Sequence, residues 1–90
     1  MDTTTLTMPL FHLNGSSAER LTEEYSSAYE RLNEFVNYFN EIEFHPRDYY
    51  PLGDGEWIKA HKERDQIRNK ISEIRQYLEA HIDHCYDNKK

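Results

Sequence analysis

The sequence predicts an all-α chain: a long antiparallel helical hairpin with an extended N-terminal arm, associating into a helical bundle. Three observations carry that prediction. Two long stretches repeat apolar residues in alternating steps of three and four, a proline-bearing break separates them, and each apolar stripe is wider than one neighbouring helix covers.

The arm comes first, over residues 1–15. From Thr3 to Leu13 it is rich in Thr and apolar residues, carries Pro9, and stops at Asn14-Gly15, a turn signal. Leu6, Met8 and Leu10 alternate with Thr5 and Thr7 as in a strand, but a lone strand needs a partner and no other segment reads as one. The arm must pack on the body, pair with another copy, or stay mobile.

Helix one is predicted over 16–44. Ser16 as N-cap with Glu19 three residues on has the spacing of a capping box, in which each side chain satisfies a backbone N–H of the other. The seam that follows is Leu21, Tyr25, Ala28, Leu32, Phe35, Phe39 and Ile42, and Pro46 stops the helix near Phe44. The connection, residues 45–53, reads His45-Pro46-Arg47-Asp48-Tyr49-Tyr50-Pro51-Leu52-Gly53. Asp54 then caps helix two, 54–86, whose seam is Trp57, Ala60, Arg64, Ile67, Ile71, Ile74, Leu78, His81 and Cys85. Residues 87–90 are a tail. At about 1.5 Å per residue each helix is on the order of 40 Å long, and the connection allows an antiparallel return.

A two-helix hairpin encloses little volume, so its ordering entropy is hard to offset without further burial. Tyr29, Val36 and Tyr38 on helix one, and Ile58, Tyr77, Ile82 and Tyr86 on helix two, fall outside the predicted seams. Self-association follows, most simply as two hairpins in a four-helix bundle with the arm on its own or a neighbouring hairpin. The alternative is an arm that folds back to complete a monomeric core.

At 90 residues and 10.9 kDa the chain makes one small domain at most, which excludes a large enzyme. Its net charge of −6 argues against direct nucleic-acid binding and against anionic membranes. No stretch approaches the roughly 20 apolar residues of a membrane span and no basic-then-apolar leader opens the chain, so a soluble cytoplasmic protein is expected. Its one cysteine, Cys85, makes no internal disulfide and fits a reducing compartment. Between Ser17 and Phe44 seven acids stand against two bases, a net of −5, while helix two nets −1. That acidic face is either a solvated surface partly paired with helix two or a phosphate-like surface docking on a basic partner such as a host protein.

The bend holds the most unusual chemistry. His45, Arg47, Asp48, Tyr49, Tyr50 and Trp57 crowd the start of helix two beside Gly53 and Gly55, with Lys59 and Lys62 following. An aromatic face for a base, a guanidinium fork for phosphate, and free N–H groups at a helix start suit a nucleotide-like anion. The glycines match no phosphate-loop spacing. The competing reading is that Tyr49, Tyr50, Leu52 and Trp57 cap the end of the bundle while Arg47 pairs with Asp48. Arg64 interrupts the apolar seam and needs a partner: Glu34 or Glu41 opposite it in an ion pair, or a ligand between hairpins. The ligand-binding set is therefore His45, Arg47, Tyr49, Tyr50, Trp57 and Arg64. His81 reads as a satisfied core histidine. His81, His84 and Cys85 stand at helical spacings from which a metal site completed by His12 is conceivable, but without a second cysteine pair the expectation is ordinary histidines at a negative helix end. No nucleophile, acid and base pair, or cofactor motif is indicated, so the expected protein is not an enzyme.

His12-Leu13-Asn14-Gly15 before helix one, Arg47-Asp48-Tyr49-Tyr50 in the connection, and Trp57 early in helix two together resemble short phage and prophage proteins. The resemblance covers nearly the whole chain. It implies a phage-associated accessory protein and supplies no reaction. Analogy with small helical phage proteins that sequester nucleotide signals of bacterial immunity points to a self-associating sponge for a nucleotide-derived small molecule. The alternatives are an acidic inhibitor of a host protein and a structural piece of a phage particle.

Overall fold

Two adjacent serines precede the first helix, and the second of them starts it. Ser17 has extended backbone and its side chain accepts a hydrogen bond from Arg20 N at 3.1 Å, so α1 runs Ala18–Glu41. The predicted Ser16 and Glu19 pair is thus shifted by one residue. Ala18 and Thr22, in the first two turns, are both buried, and the Thr22 hydroxyl donates to Ala18 O at 2.7 Å. The computed structural model describes residues 6–89. The first five residues of the arm, including the threonines at 3–5, and Lys90 of the tail lie outside the described residues.

α1 stops earlier than Phe44. Ile42 is already extended, its N–H bonding to Phe39 O, and His45 is held extended before Pro46. The connection then makes two short 3-10 turns, Pro46–Asp48 and Tyr50–Leu52. Gly53 and Gly55 sit at φ +120° and +91°, conformations that any Cβ would strain. Gly55, not Asp54, is the N-cap of α2, which runs Glu56–Asp87. The two helices pack antiparallel in a body of 61 × 25 × 18 Å, with no strand among the described residues. No helix among them is long and apolar enough to cross a membrane.

The predicted seam of α1 is only half right. Tyr25, Leu32 and Phe39 do turn toward α2, but their companions are Ala18, Thr22, Tyr29 and Val36, while Ala28, Phe35 and Ile42 are left exposed. Both lines share the same three residues, so the heptad pattern fits either. Polar contacts separate them: Arg75 donates to Asn33 Oδ1 at 2.5 Å and to the Tyr29 hydroxyl at 3.5 Å, and that hydroxyl donates to Glu79 at 3.0 Å. On α2 the same rotation brings Arg75 inward and leaves Ile67 and Ile74 exposed.

Full burial among the described residues is confined to the end where the start of α1 meets the last turns of α2. His81 stacks on Tyr77 with centroids 4.1 Å apart and meets Tyr25 at 4.9 Å, and its Nδ1–H donates to Tyr77 O at 2.8 Å. Because a carbonyl only accepts, that bond fixes the proton on Nδ1, and the expected satisfied core histidine is what is found. The arm closes this end in cis: Phe11 stacks against His84 at 5.9 Å, and His84 Nε2–H donates to Pro9 O at 2.8 Å. Beneath lies Cys85, 0% exposed.

Ser17→Ala should cost about 1 kcal/mol of stability in urea melts followed by circular dichroism, and Ser16→Ala less than about 0.5. Burial pushes the Cys85 thiol above its ordinary value, and burial followed by Tyr77 does the same to the Tyr25 phenol. The folded state keeps these protons where the unfolded state loses them, so stability should be full below the ordinary thiol value and fall as pH rises past it. Urea midpoints from neutral to strongly alkaline pH test this, and Cys85 in the native protein should resist a thiol reagent that modifies it at once in urea.

Candidate functional site

The extended run after α1 swings Phe44 across to the start of α2. There it meets Trp57 at 4.6 Å and Tyr49 at 5.6 Å, and Tyr49 meets Trp57 at 5.6 Å, a three-ring cluster that His61 extends along α2. Each such contact contributes about 0.5–1.5 kcal/mol beyond its burial. The cluster holds the bend shut.

Arg64, one turn beyond His61 on the inward side of α2, lies against this cluster. Its guanidinium carbon is 4.2 Å from the Phe39 ring centroid and 4.7 Å from that of Phe44, and one Nη donates to Phe39 O at 3.3 Å. Its Nε is buried with no hydrogen-bond partner. Neither predicted carboxylate reaches it: Glu34 pairs with Arg31 at 2.7 Å, and Glu41 is exposed at the end of α1. The rotation of α1 that brings Asn33 to Arg75 is the reason, since it carries these acids away from α2. A cation flanked by ring faces is stabilised by their quadrupoles, yet it keeps hydrogen-bonding capacity that no carboxylate among the described residues uses.

The site opens as a shallow cavity of about 300 Å³ lined by Phe39, Phe44, Tyr49, Ala60, Glu63, Arg64 and Ile67. Of the six residues predicted to bind ligand, Tyr49 and Arg64 form its walls and Trp57 backs Tyr49 and Phe44. The other three lie outside it. His45 caps the first 3-10 turn, its Nδ1 accepting from Arg47 N at 3.1 Å; the Arg47 guanidinium pairs with Glu43, not with Asp48; and Tyr50 is exposed to solvent. Sequence reasoning did not assign Phe39, Phe44 or Ala60 to the site. Pro46 carried the signal for Phe44, because a residue held extended before proline ends the helix early and frees the ring to cross the hairpin.

Two further grooves run along the hairpin. One, of about 420 Å³, is walled by Tyr29, Glu30, Glu79 and Asp83 over Ile82; the other, of about 160 Å³, by Asn40, Arg68, Ser72 and Arg75 over Val36 and Phe39. The metal constellation considered for His12, His81, His84 and Cys85 is not assembled: among the described residues no three His, Cys, Asp or Glu groups stand close enough to hold an ion. Two backbone carbonyls, Tyr77 O and Pro9 O, already engage a ring nitrogen of His81 and of His84.

Trp57 is the chain's one tryptophan and reports on the cluster. Its native emission should be blue-shifted relative to the urea-unfolded chain. Phe44→Ala should move it to the red and cost about 2 kcal/mol in urea melts, below the full Phe→Ala range because the ring is only half-buried. No protein-family model matches this chain, and neither a curated protein nor a solved structure matches it at a significant level.

Proposed function

We propose that the chain is a non-enzymatic, self-associating accessory protein, of the phage kind its sequence resembles, that holds a small nucleotide-like anion in the cavity at its bend. One observation carries the reading: Arg64 is a half-buried cation with ring faces on it, an orphaned Nε and no carboxylate partner among the described residues, on the wall of an open cavity. A guanidinium in that state supplies charge-assisted donors to a phosphate or a carboxylate without first breaking an ion pair. Tyr49 offers a ring for a base to stack on, braced from behind by Trp57. Glu63 on the same rim accepts from an amino group or ribose hydroxyl. Arg47, outside the cavity, contributes long-range attraction and little else, and the exposed, uncharged Tyr50 contributes nothing to binding.

Sequestration needs no reacting group, so one cation between aromatic walls is sufficient chemistry for it. Thermal unfolding with AMP, ADP and a cyclic dinucleotide at millimolar concentration tests the reading. A binding nucleotide at 100 times its Kd adds about 2.7 kcal/mol, so Tm should rise by more than about 5 °C for a domain of this size. Arg64→Met and Tyr49→Ala should abolish the rise while keeping helical circular dichroism, and Arg47→Ala and Tyr50→Ala should keep most of it. No shift of the wild type with any of these nucleotides, or a full shift in Arg64→Met, overturns the reading.

A further inference from the structure

The rotation that sets the hairpin's seam leaves a second apolar line on each helix, and both lie on one side of the molecule. On α1 it is Ala28, Phe35 and Ile42, repeating every seven residues; on α2 it is Ile67, Ile74 and Tyr77. Ile67 opens on the side of the bend cavity, whereas its neighbour Arg68 lines the groove on the opposite side with Asn40 and Arg75. Phe35 is 51% exposed, Ile42 54% and Ile74 50%. None of the six carries a charge.

We infer that this face is the seat of a second copy of the chain, with α1 of each protomer lying antiparallel on α2 of its partner and both bends at the same end. The inference deepens the self-association in the reading above by naming its surface and geometry.

Four observations support a second copy as the occupant. First, the face continues one that the chain already covers: His84, seven residues beyond Tyr77 on α2, is where Phe11 and the Pro9 carbonyl of the arm dock. Second, the size fits. Side chains of this kind bury about 150–250 Å² each when aromatic and fully covered, so six partly exposed ones offer on the order of 400 Å² of apolar area. A standard interface of about 800 Å² per partner is a little over half apolar, which is the same amount.

Third, the levels are complementary. Tyr25 beside His81 and Phe39 beside Arg64 fix the register of the hairpin, and that register puts Phe35 level with the gap between Ile67 and Ile74, and Ala28 level with Tyr77. A two-fold axis along the bundle preserves levels, so Phe35 of one protomer enters the gap between the other's isoleucines, and its small Ala28 meets the other's large Tyr77. Fourth, charge chooses between the two possible two-folds. The segment from Ser17 to Phe44 nets −5 and α2 nets −1, so an axis across the bundle would set the acidic helix on its own copy, while an axis along the bundle sets it on the less acidic one. The same seating lays Ile42 of one protomer over the Ile67 and Glu63 rim of its partner's cavity, and so roofs it.

Light scattering and sedimentation at tens of micromolar test this. The wild type should have twice the chain mass of 10.9 kDa, and Phe35→Glu and Ile74→Glu should each halve it with helical circular dichroism retained, since both side chains are exposed in the single hairpin. Ile58→Glu, on the far side of α2, should leave the mass unchanged. A mixture of Ala28→Cys and Tyr77→Cys proteins should form a mixed disulfide dimer on oxidation. A monomeric wild type with both helices intact, face variants that stay dimeric, or failure of the mixed disulfide overturns the inference. The cavity is read separately: a monomer whose Tm still rises with a nucleotide sinks the pairing alone, and a dimer that no nucleotide stabilises sinks the binding alone.

Discussion

Arg75 on α2, reaching Asn33 and the Tyr29 hydroxyl on α1, decides which way the first helix faces. The guanidinium is half-buried between the rods, where its donors must be met, and charge-assisted bonds of this kind contribute about 1.5–3 kcal/mol each, more than one additional methylene of burial. Meeting them turns Tyr29 and Val36 inward and Phe35 and Ile42 outward. The orientation of every other side chain on α1 follows from that one rotation, because a helix rotates as a rigid body.

Two consequences meet at the bend. The acids once expected opposite Arg64 are carried to solvent, and the guanidinium is left with the faces of Phe39 and Phe44 and a single carbonyl. Phe44, released from the helix by the extended approach to Pro46, then closes over Trp57 and Tyr49 and creates the wall of a cavity. A cation with no carboxylate partner among the described residues and an exposed apolar face thus come from the same rearrangement, and they open on the same side of the hairpin. The cavity at the bend and the exposed apolar line share one residue, Ile67, so the proposed binding and the proposed association would act on each other.

The end opposite the bend is organised differently. There the arm supplies what a second hairpin would otherwise have to supply: Phe11 and Pro9 dock on His84, and His81 and Cys85 are covered beneath. Burial is therefore uneven along the rods, dense where the arm lies and thin from Ala28 to the bend. Phe35, Ile42 and Ile74 stay exposed beside the seam, and Phe11 and Pro9 of the arm dock only at the His84 end.

Much of this was legible in residue order. Three- and four-residue steps marked both rods, Pro46 and Pro51 marked the break, and the aromatic and basic crowding at Arg47 to Trp57 marked the end where the cavity lies, because these signals are local and depend on backbone geometry alone. The α1 seam was not legible, since Tyr25, Leu32 and Phe39 belong to both candidate lines and apolar periodicity cannot separate them. Nor was the division of the bend residues, in which Tyr49 and Arg64 face the cavity while Arg47 turns back to Glu43. The sequence by itself determined two rods, a turn and their sidedness to within one heptad line; which line faces inward was decided only in the tertiary structure, where the polar groups of Arg75 and Asn33, about 140 Å of chain apart in an extended strand and adjacent in the fold, had to satisfy one another.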